Sequence, residues 1–234
     1  MATRAPSTRA GKPKPPTTYH HGNLRQVLID ATLALIEEGG PEAVTVREAA
    51  RRAGVSPGAP FRHFPTRTSL MTAVAEEATH RLHAAVFDAA TATAASEPLD
   101  KLREIGRAYL RWAYENPTHF AVVSDRRLID YEASDSIVRE NREMQALMSR
   151  LLAEAQQHDH AARIDPAVAR LASRALVYGL ARMWADGHLP QWGVHDLRST
   201  QAAEAALDLF IDGLSRAGRQ EASAPPHRRR RSEP

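Results

Sequence analysis

Arg62 and His63 stand side by side with Arg67 just beyond them, and Thr45 and Arg47 come shortly before. A guanidinium fork matches guanine O6 and N7 in the major groove, whereas a hydroxyl, an imidazole or a second guanidinium suits a phosphate oxygen. Arg62 therefore has the reach for a base edge, Thr45, Arg47, His63 and Arg67 suit phosphate, and Ser56 is a further DNA-binding candidate. Between them, Pro57, Gly58, Ala59 and Pro60 carry almost no polar side-chain atoms, and Phe61 is apolar. Their expected contribution is close backbone approach and apolar contact with thymine methyls, so base readout would lean on Arg62 and on the shape of the duplex.

These side chains need rigid carriers, and the local sequence supplies them. Thr45 and Glu48 form a T-x-x-E capping box that starts a short helix burying Val46, Ala49, Ala50 and Ala53. Gly54 stands where a helix leaves in left-handed conformation, Val55 is an apolar plug, and Ser56 followed by Pro57 is a second start signal. A second helix is expected from Pro57 to Phe64, about 12 Å long at 1.5 Å per residue, a size suited to the major groove. The pair reads as a helix-turn-helix.

The rest of the chain follows the helical period. Asn23 with Gln26 makes another capping box, and Leu24, Val27, Leu28, Ala31 and Leu35 then line one face of a helix ending at Gly39-Gly40-Pro41. Pro65 ends the second short helix, and Thr66 caps a long helix to about Thr91. Further helices are expected over 98–115, 117–123 with a turn to 130, 135–158, 166–186 behind an Asp165 cap, and 199–217, with GHLPQWG as a loop. No alternating period-2 run occurs, so the fold class is all-α with about nine helices: a three-helix head and a larger helical body. Domain limits follow as a basic arm over 1–18, a DNA-binding head over 19–66, a body over 67–217 and a basic tail over 218–234, both ends disordered.

Composition narrows the class. The chain has 234 residues, no cysteine and a net charge of +3, which excludes disulfides and thiolate chemistry. Basic residues gather at the two ends and around the head, while residues 71–215 sum to −6, a layout that puts positive charge where phosphate would be met. No apolar run is long enough for a membrane span, and the expected location is the cytoplasm. G-x-S-x-G, a glycine-rich phosphate loop and H-E-x-x-H are all missing, which argues against an enzyme, and no cofactor is called for. His158-Asp159-His160 with His20 and His21 keeps a metal sensor open as an alternative, and a DNA-binding protein without sequence preference is another.

Helix, T-V-R-E-A-A-R-R-A-G-V-S-P-G-A-P-F-R-H-F-P-T-R, then a long linking helix resembles the TetR family of bacterial transcriptional regulators over residues 19–75, and Tyr19-His20-His21-Gly22-Asn23-Leu24 looks like the lead-in of one of its subgroups. The resemblance implies a homodimer with one DNA-binding head per subunit on a double-stranded operator. It also implies a pocket in the body for an unidentified small-molecule effector, and repression relieved when that molecule binds; activation stays open. The family commonly has tyrosine, its hydroxyl on a phosphate, where this chain has Phe61, and Arg67 matches a basic residue that touches phosphate. Some relatives carry Trp, His and Gly in the penultimate helix, where Tyr178-Gly179 stands here.

For the pocket, Tyr109, Trp112, Phe120, Met144, Met148, Tyr178, Met183 and Trp184 are the candidates, with His119, Arg182 and Asp186 as polar ones. For the dimer interface they are Leu171, Ala175 and Gly179 on the penultimate helix and Ala203, Leu207, Phe210 and Leu214 on the last. The same faces would also serve to close a monomer core.

Overall fold

A computed structural model describes residues 24–92, 97–157, 164–195 and 198–223, with side chains of 198, 199 and 216–223 left aside. Eight α-helices follow in order: α1 (Leu24–Gly39), α2 (Val46–Arg52), α3 (Arg67–Ala92), α4 (Pro98–Glu115), α5 (Pro117–Val123), α6 (Asp135–Gln157), α7 (Pro166–Ala185) and α8 (Arg198–Ser223). Single 3-10 turns sit at Pro41–Ala43, Pro60–Arg62, Arg126–Leu128 and Leu189–Trp192, and no strand occurs among the described residues. The expected GHLPQWG loop thus contains a helical turn, and the last helix runs on to Ser223, past the expected end at 217.

Local chemistry accounts for most helix ends. Asp165 Oδ1 accepts from the N–H groups of Ala167 and Val168, and Pro166 follows at the first helical position, where its missing donor costs nothing. Thr66 and Ser69 cap α3 reciprocally, each side-chain oxygen accepting the other's backbone N–H at 3.0 and 3.1 Å. Asn23, the other expected cap, lies outside the described residues; Gln26 instead donates to Asp30 and Glu77.

Two apolar clusters hold the chain, and α3 belongs to both. Its Leu70, Met71, Val74 and Ala75 pack with Leu28, Ile29 and Leu35 of α1 and Val46 and Ala49 of α2. That cluster also takes in Val122, Leu128, Ile129 and Ile137, so α5, the following turn and α6 close the floor of the head. Ala78, Leu82 and Val86 of the same helix pack with Leu102, Ile105 and Leu110 of α4, Leu151 of α6, Val177 of α7 and Leu207 and Ile211 of α8. At the α4–α8 approach a Cβ on Gly106 would lie 2.7 Å from Leu207 Cδ2, so the buried Leu207 side chain would have to shift. Arg103 and Arg107 of α4 clamp the same pair of helices, reaching Asp208 at 3.0 Å, and Arg103 also reaches Asp212 at 2.9 Å.

Polar contacts tie α1 and the loops to the side of α3. Arg25 pairs with Glu76 at 2.7 Å, Gln26 donates to Glu77 at 2.9 Å, Ser134 Oγ donates to Glu76 at 2.9 Å, and the Asp130 N–H donates to Thr72 Oγ1 at 2.9 Å. His119 of α5 is buried beside them, its Nε2 3.9 Å from Glu77 Oε1. Burial holds its imidazole below the ordinary value and the Arg81 charge adds to this, while Glu77 opposes. His119 therefore stays neutral in the fold where the unfolded chain would take a proton, near pH 6.5 and below. The unfolded state binds more protons in that window, so acidification costs stability. We expect His119→Gln to lose less melting temperature than the parent between pH 7.5 and 5.5; equal losses would mean that His119 does not contribute.

Candidate nucleic-acid interface and interior cavity

The head departs from expectation in its capping box, in its second helix and at Arg67. Thr45 caps α2, accepting the Glu48 N–H at 3.0 Å, but the Glu48 carboxylate turns to Arg51 and leaves the reciprocal half of the box unmade. The helix ends as its sequence requires: Gly54 has φ 69°, its N–H donates to Arg51 O at 3.2 Å, and the Val55 N–H donates to Ala50 O at 3.0 Å. This is a full left-handed cap, which only glycine fills without a Cβ penalty. Pro57–Phe64 is not an α-helix. Ser56 O accepts from Ala59, and a single 3-10 turn covers Pro60–Arg62 before Phe64 N–H donates to Pro60 O at 2.8 Å. Pro60 has no N–H to give Ser56 O, so the first i to i−4 bond of an α-helix starting at Pro57 cannot form. This accounts for eight α-helices among the described residues against nine expected.

The reading edge is nevertheless presented. Pro60 and Phe64 (3% exposed) anchor the segment in the head, while Ser56, Pro57, Gly58, Phe61, Arg62 and His63 face outward with Thr45 and Arg47 beside them, and Ala59 is half-buried. Phe61 keeps 42% of its surface exposed, an apolar face among cations. The structure also sorts the arginines of the head. Arg25, Arg51 and Arg52 are held by Glu76, Glu48 and Glu38. Arg67, expected on phosphate, donates from Nε to Val44 O at 3.0 Å and from Nη2 to Pro41 O at 2.8 Å, with Glu42 3.7 Å away. It clamps the α1–α2 connection to the start of α3, leaving Nη1 for anything else. Arg47 and Arg62 alone in the head carry no hydrogen bond or ion pair among the described residues.

In the body, a cavity of about 450 Å³ opens between α3, α4, α6, α7 and α8. Of the expected pocket residues, Tyr109, Met144 and Met148 line it. The others lie elsewhere. Trp112 and Phe120 are buried in the core, and Tyr178 packs on Phe120 at 6.2 Å and donates to Ser124 O at 3.2 Å. Trp184 packs on Tyr114 at 4.7 Å, and Met183 is half-buried outside the cavity lining. Arg182 is spent on Asp186 at 2.9 Å and on Ser124, and His119 belongs to the head junction, so none of these three polar candidates meets the cavity. The residues that pattern reading missed are Asn141 and Gln145 of α6 and Arg170, Ser173 and Arg174 of α7. Their one signal was i, i+4 spacing of polar residues on the flank of an apolar stripe, which an exposed helix face shows equally.

The dimer candidates divide in the same way. Ala203, Leu207 and Leu214 are 2, 3 and 8% exposed, facing inward within the subunit, and Phe210 lines the cavity. Ala203, Leu207 and Leu214 therefore do not face outward, and Phe210 is half-buried. Leu171 (69%), Ala175 and the half-buried Gly179 do lie on the outer side, with Val168 (55%) and, on α8, Leu209 (69%).

Comparison with known proteins bears on both parts. Residues 28–74 match the bacterial regulatory proteins of the tetR family, and residues 102–210 match the tetracyclin repressor-like C-terminal domain. The chain belongs to the TetR family. It is therefore a DNA-binding transcriptional regulator and not an enzyme. The HTH-type transcriptional repressor KstR of Rhodococcus jostii is 46% identical over 54 residues, 23% of this chain and 26% of that protein. KstR of Mycolicibacterium smegmatis is 38% identical over 68 residues, 29% of this chain and 33% of that protein. The regulator thus matches these curated relatives over about a quarter to a third of their length. A protein of unknown function from Rhodococcus sp. RHA1 shares the fold with a TM-score of 0.70 at 29% identity, over 86% of this chain and all of that one. The TetR-family regulator PfmR of Thermus thermophilus does so at 0.65 and 21%, over 80% of this chain and 98% of that one.

In this TetR-family protein the metal-ligand candidates His20, His21, His158, Asp159 and His160 lie outside the described residues, as does the Tyr19–Asn23 lead-in. No helix among the described residues is long and apolar enough to cross a membrane. The two free arginines carry the roles we assign to DNA, Arg62 on a base and Arg47 on a phosphate. Arg62→Ala should cost about 1–3 kcal/mol of discrimination at one position per half-site. Arg47→Ala should weaken all duplexes alike and reduce the salt slope by about one, read by titration across salt concentrations. A uniform loss from both would refute the division.

Proposed function

We propose that this regulator binds a palindromic operator as a homodimer, represses the adjacent genes, and is released when a small, largely apolar molecule occupies the cavity, with 19–66 as reading head and 67–217 as body. The observation that carries this reading is the path of α3. Its first turns are built into the head through Leu70, Met71 and Val74, and Leu82 and Val86 of the same helix line the cavity. An occupant that favours one position of α3 therefore favours one position of the head, and only such differential affinity shifts the balance between bound and released forms.

Pairing is supported by an apolar stripe on the outside of the body. Val168, Leu171, Ala172 and Ala175 recur at i, i+3, i+4 and i+7 along α7, and Ala205, Leu209 and Gly213 at i, i+4 and i+8 along α8, all on the outer side. Two helices from each of two copies make a four-helix contact, and a twofold pair of heads reads two half-sites. Leu171 belongs both to this stripe and to the cavity lining, so occupancy and the spacing of the two subunits share a side chain.

Selection of bound DNA from a random pool at near-physiological salt tests the reading. The expected result is an enriched palindrome with half-sites about one helical turn or more apart. Failure to enrich any sequence with folded protein would leave only salt-dependent, non-specific binding. Leu209→Glu is expected to shift the protein toward monomer in sedimentation and to weaken operator binding at least about tenfold. A variant that stays dimeric would take the α8 stripe out of the interface.

A further inference from the structure

Resting on the reading of the cavity as the effector site, we propose that its occupant is an amphipathic carboxylic acid, its apolar body inside and its carboxylate on Arg170 and Arg174. The cavity is divided in chemistry. Leu82, Val86, Leu102, Ile105 and Ile211, from α3, α4 and α8, form an apolar floor, while the polar side chains come from α6 and α7 on one side. Among the described residues, the only charged ones lining it are two arginines, with no aspartate or glutamate.

That pair differs from most of the described arginines of the body, although Arg111, Arg126 and Arg142, which lie outside the cavity lining, also carry no ion pair among the described residues. Residues 71–215 carry a net charge of −6, and arginine there is regularly matched with acid: Arg81 with Glu77, Arg103 with Asp208 and Asp212, Arg107 with Glu104 and Asp208, Arg127 with Asp125, Arg182 with Asp186. Arg170 and Arg174 have no carboxylate within ion-pair distance among the described residues. Acids are plentiful in this body, and the two arginines at the cavity are left without one.

Their neutral partners aim them without neutralising them. Arg170, half-buried, donates from Nη1 to Ser149 Oγ at 2.7 Å, and that hydroxyl is itself turned to Gln145 O at 2.9 Å. Arg174, at the exposed flank, lies over the Tyr109 ring at 4.7 Å and near Tyr178 at 5.4 Å. A guanidinium beside a ring keeps its full charge, and its several N–H donors can pair a carboxylate in bidentate fashion. The residues are one turn apart on α7, so both charges fall on one side of the mouth. A cation placed there would be repelled. A neutral molecule would cover the guanidinium groups without giving them a charged acceptor.

Calorimetry on the full chain tests this with two matched pairs of probes, decanoate against decanamide and 2-naphthoate against 2-naphthamide. In the parent protein at least one acid should bind about tenfold or more tightly than its amide, the range expected of hydrogen bonds to a charged partner. Arg170→Gln combined with Arg174→Gln should abolish that preference while leaving amide affinity in place, and Arg174→Gln alone should reduce it. Arg182→Gln, outside the cavity, should leave it unchanged. Retained amide binding also shows that the double variant is folded. Acid and amide binding alike in the parent, or a preference that survives the double substitution, would overturn the carboxylate assignment while leaving the cavity as an effector site. Binding of none of the four probes would overturn both.

Discussion

One uninterrupted helix bears on everything else in this molecule. The 26 residues of α3 span about 39 Å at 1.5 Å per residue, and no proline or glycine breaks them. Its N-terminal turns are part of the packing of the head and its later turns are a wall of the cavity. A close-packed core does not absorb displacement gradually, so a helix that belongs to two cores ties their positions together. The reciprocal Thr66–Ser69 cap orders its first turn, and the Arg67 bonds to Pro41 and Val44 hold that turn to the head.

The head shows how a reading edge is built without a regular second helix. Proline at positions 57 and 60 withdraws donors that an α-helix would need, and the segment settles for one 3-10 turn pinned by buried Pro60 and Phe64. What remains outside is a short edge with Arg62 and His63, the apolar face of Phe61, and Arg47 from the neighbouring helix. Of the five arginines in the head and Arg67 at the start of α3, four are spent on carboxylates or carbonyls, which concentrates free positive charge at two points.

In the body, polar pairing does the opposite work. Arg103 and Arg107 lock α4 to α8 through Asp208 and Asp212, with Gly106 allowing the close approach between them. This leaves the floor of the cavity firm, while the Met144 and Met148 side chains of α6 supply an adaptable wall opposite. The cavity is thus framed by fixed helices on one side and deformable side chains on the other.

Features closed within a few residues were open to reading from the chain alone. The all-α class, the Thr45, Thr66 and Asp165 caps and the left-handed exit at Gly54 each depend on neighbours no more than five positions away. Two local rules compete at Pro57–Phe64: the start signal at Pro57 favours a helix, and the donor missing at Pro60 denies it the first i to i−4 bond. Which arginines are free, which aromatics meet the cavity and which face of α8 looks outward were not local matters. Arg25 is neutralised across 51 positions and Arg107 across 101, and Ala203, Leu207 and Leu214 are buried because α4 arrives from a hundred residues earlier. A helical period tells that a face is apolar, but only the packing of the other helices decides whether that face closes the core, lines a cavity or waits on the surface.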